Sequence, residues 1–429
     1  MKKRLDEFPF SNVSRRHFLR LGGSSLILLG MSPEQALGHV SSGASEREKE
    51  TTVLNGILIV YFQRGAADGL HIAAPYRDKH YRSLRGALAL DEPRKPIGVL
   101  DLGDGFGLHP ALEPLYPLYR ERRLAVIHAV GSPDPTRSHF DAQDYMESGT
   151  PGVKSTRDGW LTRASKALEA QDGERSPFTA VALTSTMPRS LAAASDALAM
   201  EDFSKLGARR RDTSLAGRIV QMYRQDPNAQ FAHAGVEALR ALELFGDQDP
   251  LSIPVRSGVT YPAGRHARTF RQLAQLLKAD LGIRIVFLES GGWDTHFNQG
   301  SATGQMSNLL RELAGSISAF FKDVGPDIPM TLLTMTEFGR TVAVNGAGGT
   351  DHGHGTAMMV MGRGVQGGSV LGDWPGLAKS NLYEGRDLEV TTDFRDLLTE
   401  VATSALGLKK ATKLFPGYES KGRPGAVRT

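Results

Sequence analysis

From Gly56 onward, short runs of apolar and β-branched residues alternate with stretches whose apolar positions recur at helical spacing. The apolar runs are Gly56 to Phe62, Leu124 to His128, Phe178 to Leu183, Ile283 to Leu288, Met330 to Met335 and Ala357 to Met361. Between them lie amphipathic segments at Ala111 to Glu121, Gly159 to Ala170, Leu215 to Tyr223, Phe231 to Phe245, Arg265 to Leu281 and Met306 to Phe321. Such alternation predicts an α/β fold with a mainly parallel sheet flanked by helices on both faces. In that architecture ligands bind where loops leave the carboxyl ends of the strands. The stretch 191–264 interrupts the alternation with helical pattern and predicts a helical insert over the site. The globular domain is expected over 56–408, with an exposed tail at 409–429.

The first residues follow another pattern. Arg15 and Arg16 precede Phe18 and Leu19, and Leu21 to Met31 form a mildly apolar run broken by glycine and serine. That run falls short of the ~20 apolar residues needed to span a bilayer. Small residues follow, around Ala36-Leu37-Gly38 and Ser42-Gly43-Ala44. The order matches a cleavable twin-arginine signal over 1–38, followed by a polar linker at 39–55. The sequence therefore predicts a periplasmic or secreted protein, passed through the twin-arginine export machinery, with no stable membrane anchor.

Export changes how the charge is read. The whole chain carries a formal +4, but Lys2, Lys3, Arg4, Arg15, Arg16 and Arg20 outnumber Asp6, Glu7 and Glu34 in the signal, so the mature chain is near neutral. No basic stripe suited to nucleic acid remains, and Arg209-Arg210-Arg211 reads as solvated surface. The chain has no cysteine, which excludes disulfides, thiolate metal sites and iron–sulfur clusters. Any metal must be held by His, Asp, Glu or hydroxyl groups.

The loops expected at the carboxyl edge carry such groups. They hold Asp68 after the first run, Thr136, Arg137 and Ser138 after the second, Asp294-Thr295-His296 after the fourth and Glu337 to Arg340 after the fifth. Asp351-His352-Gly353-His354 precedes the last. Taken singly, Asp68 suits a glycine turn, Ser138 with Asp141 suits a helix cap, and Glu337 suits a partner for Arg340. Asp-x-His and His-x-His within glycine-rich loops are better explained by a shared cation, since adjacent side chains at those spacings can grip one ion.

The set Arg64-Gly65-x-x-Asp68-Gly69, Leu108-His109-Pro110, Ser138-His139-Phe140, Gly159-Trp160-Leu161, Gly292-Trp293-Asp294-Thr295-His296, Glu337-Phe338-Gly339-Arg340 and Gly349-Thr350-Asp351-His352-Gly353 resembles the bacterial domain of unknown function 1501, from about Gly56 to about Leu408. That resemblance implies the alkaline phosphatase and sulfatase-like superfamily, with a parallel sheet and a two-metal site at its edge. It would make Asp68, Asp294, His296, Glu337, Asp351, His352 and His354 metal ligands, and Ser138 or Thr136 the hydroxyl group of the site. Asn298 stands where that superfamily has a second histidine, and Glu337-Phe338-Gly339 replaces its Asp-His-Gly.

Together these readings predict a hydrolase of a phosphate or sulfate ester, acting on a small anionic ester or glycan. It would use one or two divalent ions (zinc, manganese, magnesium or calcium), with Ser138 or Thr136 and Arg340 as catalytic groups. The alternative is a non-catalytic cell-envelope binding protein on the same scaffold. An oxidoreductase is disfavoured by the lack of cysteine and of a Gly-x-Gly-x-x-Gly turn after the first strand.

Overall fold

The computed structural model describes residues 56–173, 176–194, 197–204, 244–245, 248–409 and 414–428. The signal and linker segments, the helical patterns Leu215 to Tyr223 and most of Phe231 to Phe245, and with them most of the expected insert, lie outside the described residues.

The expected apolar runs lie in strands of one sheet. Its strands are β1 (Ile57–Gln63), β2 (Leu124–Gly131), β3 (Ala180–Ala182), β4 (Ala197–Ala199), β5 (Ile285–Ser290), β6 (Met330–Met335), β7 (Thr356–Gly362), β8 (Val370–Leu371) and β9 (Thr392–Asp393). The order is β8-β2-β7-β6-β1-β5-β3-β4, with β9 also beside β2. Among the described strands of this sheet, only β7 runs against its neighbours, pairing antiparallel with both β2 and β6. Periodicity is blind to strand direction, and a continuous apolar run looks the same whichever way it enters a doubly covered sheet.

Both faces are covered. Along β1, Ile57, Ile59 and Tyr61 pack into one core while Leu58, Val60 and Phe62 pack into the other. The first core is closed by α4 (Arg265–Lys278), α5 (Gln305–Val324) and the turn and helix over 110–120. The second is closed by α2 (His139–Ser148), α3 (Trp160–Asp172) and α6 (Phe394–Leu406). Near the end of β1, Asp68 precedes the one-turn helix α1 (Gly69–Ile72). No helix among the described residues is long and apolar enough to cross a membrane.

Three imidazoles are sealed inside this frame. His71 and His109 both direct Nε2 to the carbonyl of Ser301 at 3.0 Å, and His128 directs Nε2 to the carbonyl of Ala73 at 2.9 Å. Burial disfavours their charged forms and pulls them down to about 4, 3 and 4 respectively. Below pH 6.5 the unfolded chain therefore takes up protons that the folded chain refuses, so stability is lost as pH falls from 6.5 towards 4. Each contributes about 1.4 kcal/mol per pH unit across that window. Urea titrations at stepped pH should show this slope, and His128→Gln should flatten it by about a third; an unchanged slope would show that His128 is not held neutral.

Candidate metal centre

Because β1, β2, β5 and β6 run in parallel and β7 enters from the opposite end, five loops meet at one edge of the sheet. Gly65, in the loop after β1, lies at φ 119°, and a Cβ there would meet the backbone nitrogen of Asp294 at 2.6 Å. The missing side chain lets the first loop close on the fourth. Gly353 plays the same part where the loop before β7 presses on Arg340, an approach sealed by the backbone bridge between Arg340 and His352.

At that edge Asp294 is surrounded by imidazoles. The ligand atoms of His139, Asp294 and His352 all lie within 4.8 Å of one another. His296 Nε2 stands 2.9 Å from Asp294 Oδ1 and 3.0 Å from His352 Nε2, while His352 Nε2 is 3.2 Å from the same carboxylate oxygen. His139 Nε2 is 3.5 Å from Asp294 Oδ2 and has no hydrogen-bond partner. The Asp294 side chain is 42 % exposed, so the cluster opens to solvent.

The other nitrogen of each ring is occupied. His139 Nδ1 faces Glu337 Oε1 at 2.8 Å, His352 Nδ1 faces the carbonyl of Arg137 at 2.9 Å, and His296 Nδ1 faces Asp351 Oδ1 at 3.0 Å. Those partners accept only, so each Nδ1 carries a proton and each ring turns its Nε2 towards Asp294. Lone pairs crowded this closely repel unless a cation or an added proton lies among them.

The electrostatics are set from beneath. Arg340 is buried and donates to Asp294 Oδ1 at 2.6 Å. Burial would raise the Asp294 carboxyl, but the Arg340 hydrogen bond and charge outweigh it and hold the group below the usual carboxylate range. The hydrogen bond to Glu337 raises His139, whereas burial and the neighbouring His139 lower His352. The hydrogen bond from Asn345 leads the effects that lower Asp351.

Asp294, His296 and His352 thus meet at the sheet edge, with Asp351 behind His296. The remaining expected ligands do not join them. Glu337 is buried, and its Oε1 accepts from Gly65 N–H at 2.8 Å, Gln143 Nε2 at 2.9 Å and His139, so it positions the ring of His139. His354 stacks on Tyr383 with ring centroids 4.4 Å apart. Asp68 is fully buried against Arg85 and also accepts from Gln299 Nε2 at 2.7 Å. Gln299 Oε1 takes hydroxyls from Thr295 and Thr350 at 2.8 Å, and Thr350 holds Arg340, so Asp68 reaches the cluster only through a relay.

The expected catalytic groups also sit differently. Arg340 faces inward, bound to Asp294 and Thr350, rather than out towards an anion. Ser138 caps α2, accepting from Asp141 N–H at 3.4 Å, and Thr136 Oγ1 accepts from the Ser138 amide at 3.3 Å. His139 is the residue that sequence reasoning passed over. Its signal was present, since it opens the helix that leaves the carboxyl end of β2, but the cap formed by Ser138 already explained the motif.

Removing Asp68 should act through Arg85. Asp68→Ala strands a buried guanidinium and should cost about 3 to 5 kcal/mol in chemical denaturation, most of it recovered in an Asp68→Leu, Arg85→Met double variant. A double variant no more stable than the single one would overturn the ion-pair assignment.

No curated protein matches the chain. The profile of a family described as a protein of unknown function, DUF1501, matches residues 126–414, which takes in His139, Asp294, His296, Glu337 and His352 but not Asp68. The match spans well over half of the sequence, and the chain belongs to the DUF1501 family.

Proposed function

We propose that this protein is an exported, metal-dependent hydrolase of a phosphate or sulfate ester, on a scaffold akin to the alkaline phosphatases and sulfatases. The observation that carries this reading is the convergence of three imidazole Nε2 atoms on the Asp294 carboxylate, with each Nδ1 directed to an acceptor elsewhere. A tetrahedral ion with bonds of about 2.1 Å sets its ligands roughly 3.4 Å apart, close to the separations around Asp294. Each ring is also oriented by a carboxylate or carbonyl behind it, as metal-binding histidines generally are. The donor set is rich in imidazole, which favours zinc or another transition metal over magnesium or calcium.

His139, Asp294 and His352 would hold the ion, with His296 at its edge. Bound there, a divalent ion polarises an ester oxygen and lowers the pKa of an attacking water or hydroxyl. Glu337 keeps His139 in the tautomer that offers Nε2, and Arg340 keeps Asp294 ionised. Ser138, exposed at the start of α2, supplies a hydroxyl beside His139.

Phe338 favours one ion over two. It is buried against His139 and His352, with centroids 5.0 Å from each, and fills with carbon the place where a second ligand would stand. The same wedge, with Arg340 turned inward, supports a second reading, a binding protein of the cell envelope that keeps the ion without the chemistry.

Protein recovered from the periplasm of a native-like host should carry close to one divalent ion per chain by elemental mass spectrometry. Asp294→Ala with His352→Ala should lose it, and His139→Ala should weaken it at least tenfold. Full metal content in the double variant would overturn the site. Bound metal without turnover across phosphate and sulfate esters would favour the binding protein. Lysine at both Arg15 and Arg16 should leave the chain in the cytoplasm, and continued export would overturn the twin-arginine assignment.

A further inference from the structure

Large hydrophobic side chains on the described surface are few, and the two most exposed are both neighbours of the cluster. Phe140 follows His139 and is 89 % exposed, while Phe297 follows His296 and is 70 % exposed. Phe140 lies in the first turn of α2, where side chains lean back towards the helix N-terminus and therefore towards the end at which His139 meets Asp294. Phe297 has its ring 6.5 Å from that of His296, and the backbone bridge from Phe297 to Gly348 ties its loop to the loop that carries Asp351 and His352.

Leaving two phenyl rings in water forgoes the burial that favours folding, and neither ring serves a core here. Each follows directly in sequence one of the histidines that line a polar, solvent-open centre. Exposed apolar groups rimming polar ones mark a binding surface. Flat aromatic faces of this kind best complement another flat apolar ring, held in offset or edge-to-face contact.

We infer that Phe140 and Phe297 form an aromatic rim that selects ligands carrying an aryl group next to the anion, so that the substrate class is an aryl phosphate or aryl sulfate. This deepens the proposed function and rests on it for the anion's place at the cluster. The rim itself needs only binding to be seen. Both rings are exposed and the Phe297 bridge is made by its backbone, so both side chains can be cut back to alanine without removing that bridge.

The test is calorimetric titration of the full metal-loaded protein with phenylphosphonate and phenylsulfonate against methylphosphonate and methylsulfonate, none of which can be hydrolysed as an ester. At least one phenyl probe should bind about tenfold or more tighter than its methyl partner. Phe140→Ala with Phe297→Ala should erase that preference while leaving methyl binding and metal content unchanged. Equal affinity for phenyl and methyl probes, a preference that survives the double variant, or no binding of any probe would each overturn the rim. A phenyl preference without hydrolysis of any aryl ester would sink the hydrolase reading and leave the rim standing.

Discussion

Arg340 sits wholly inside the protein with its guanidinium spent on Asp294 and Thr350. A buried cation must be compensated, and the groups that compensate it are Asp294, after β5, and Thr350, ten residues on from Arg340 itself. Through Thr350 the network continues to Gln299, and from Gln299 to Asp68 and Arg85. A second charged pair is thus locked to the first by neutral amide and hydroxyl groups whose hydrogen bonds are satisfied.

Two kinds of order therefore meet at the sheet edge. Below lies a buried network of hydrogen bonds that runs from Arg340 through Thr350 and Gln299 to Asp68 and Arg85. Above it, the Nε2 atoms of His296 and His352 and the Asp294 carboxylate are crowded within 2.9 to 3.2 Å of one another. Support from a rigid second layer is what a precise ligand set requires. Phe338 belongs to both layers, since its ring packs with Ala66 and Ala142 while its faces hold His139 and His352 apart from the interior.

Much of this was legible in the sequence. Apolar runs of strand length, buried on both faces, announced the strands, and their alternation with helical periodicity announced the layers. Asp294, His296 and His352 stood out because short spacings in glycine-rich loops suit a shared cation better than a core. Asp68 looked the same in sequence, but Arg85, seventeen residues on, turns it into half of an ion pair. No local pattern shows which cation a carboxylate will face. Arg340 was read as facing outward for the same reason, because burial of one arginine depends on the whole sheet. His139 and His354 show the converse: neighbours of conspicuous residues, one turned into the cluster and the other stacked on Tyr383, by a choice that tertiary packing makes.

The direction of β7 reaches further than the site. It is a late strand, yet it lies between β2 and β6, so neither of those can complete its ladder until the chain has been made almost to its end. The residue that brings His352 to Asp294 is tethered to that same strand. Ligand assembly and closure of the sheet are then one cooperative event rather than two. An ion that binds only the finished cluster is drawn into the thermodynamics of the whole domain, and its binding free energy adds to the stability of strands it never touches.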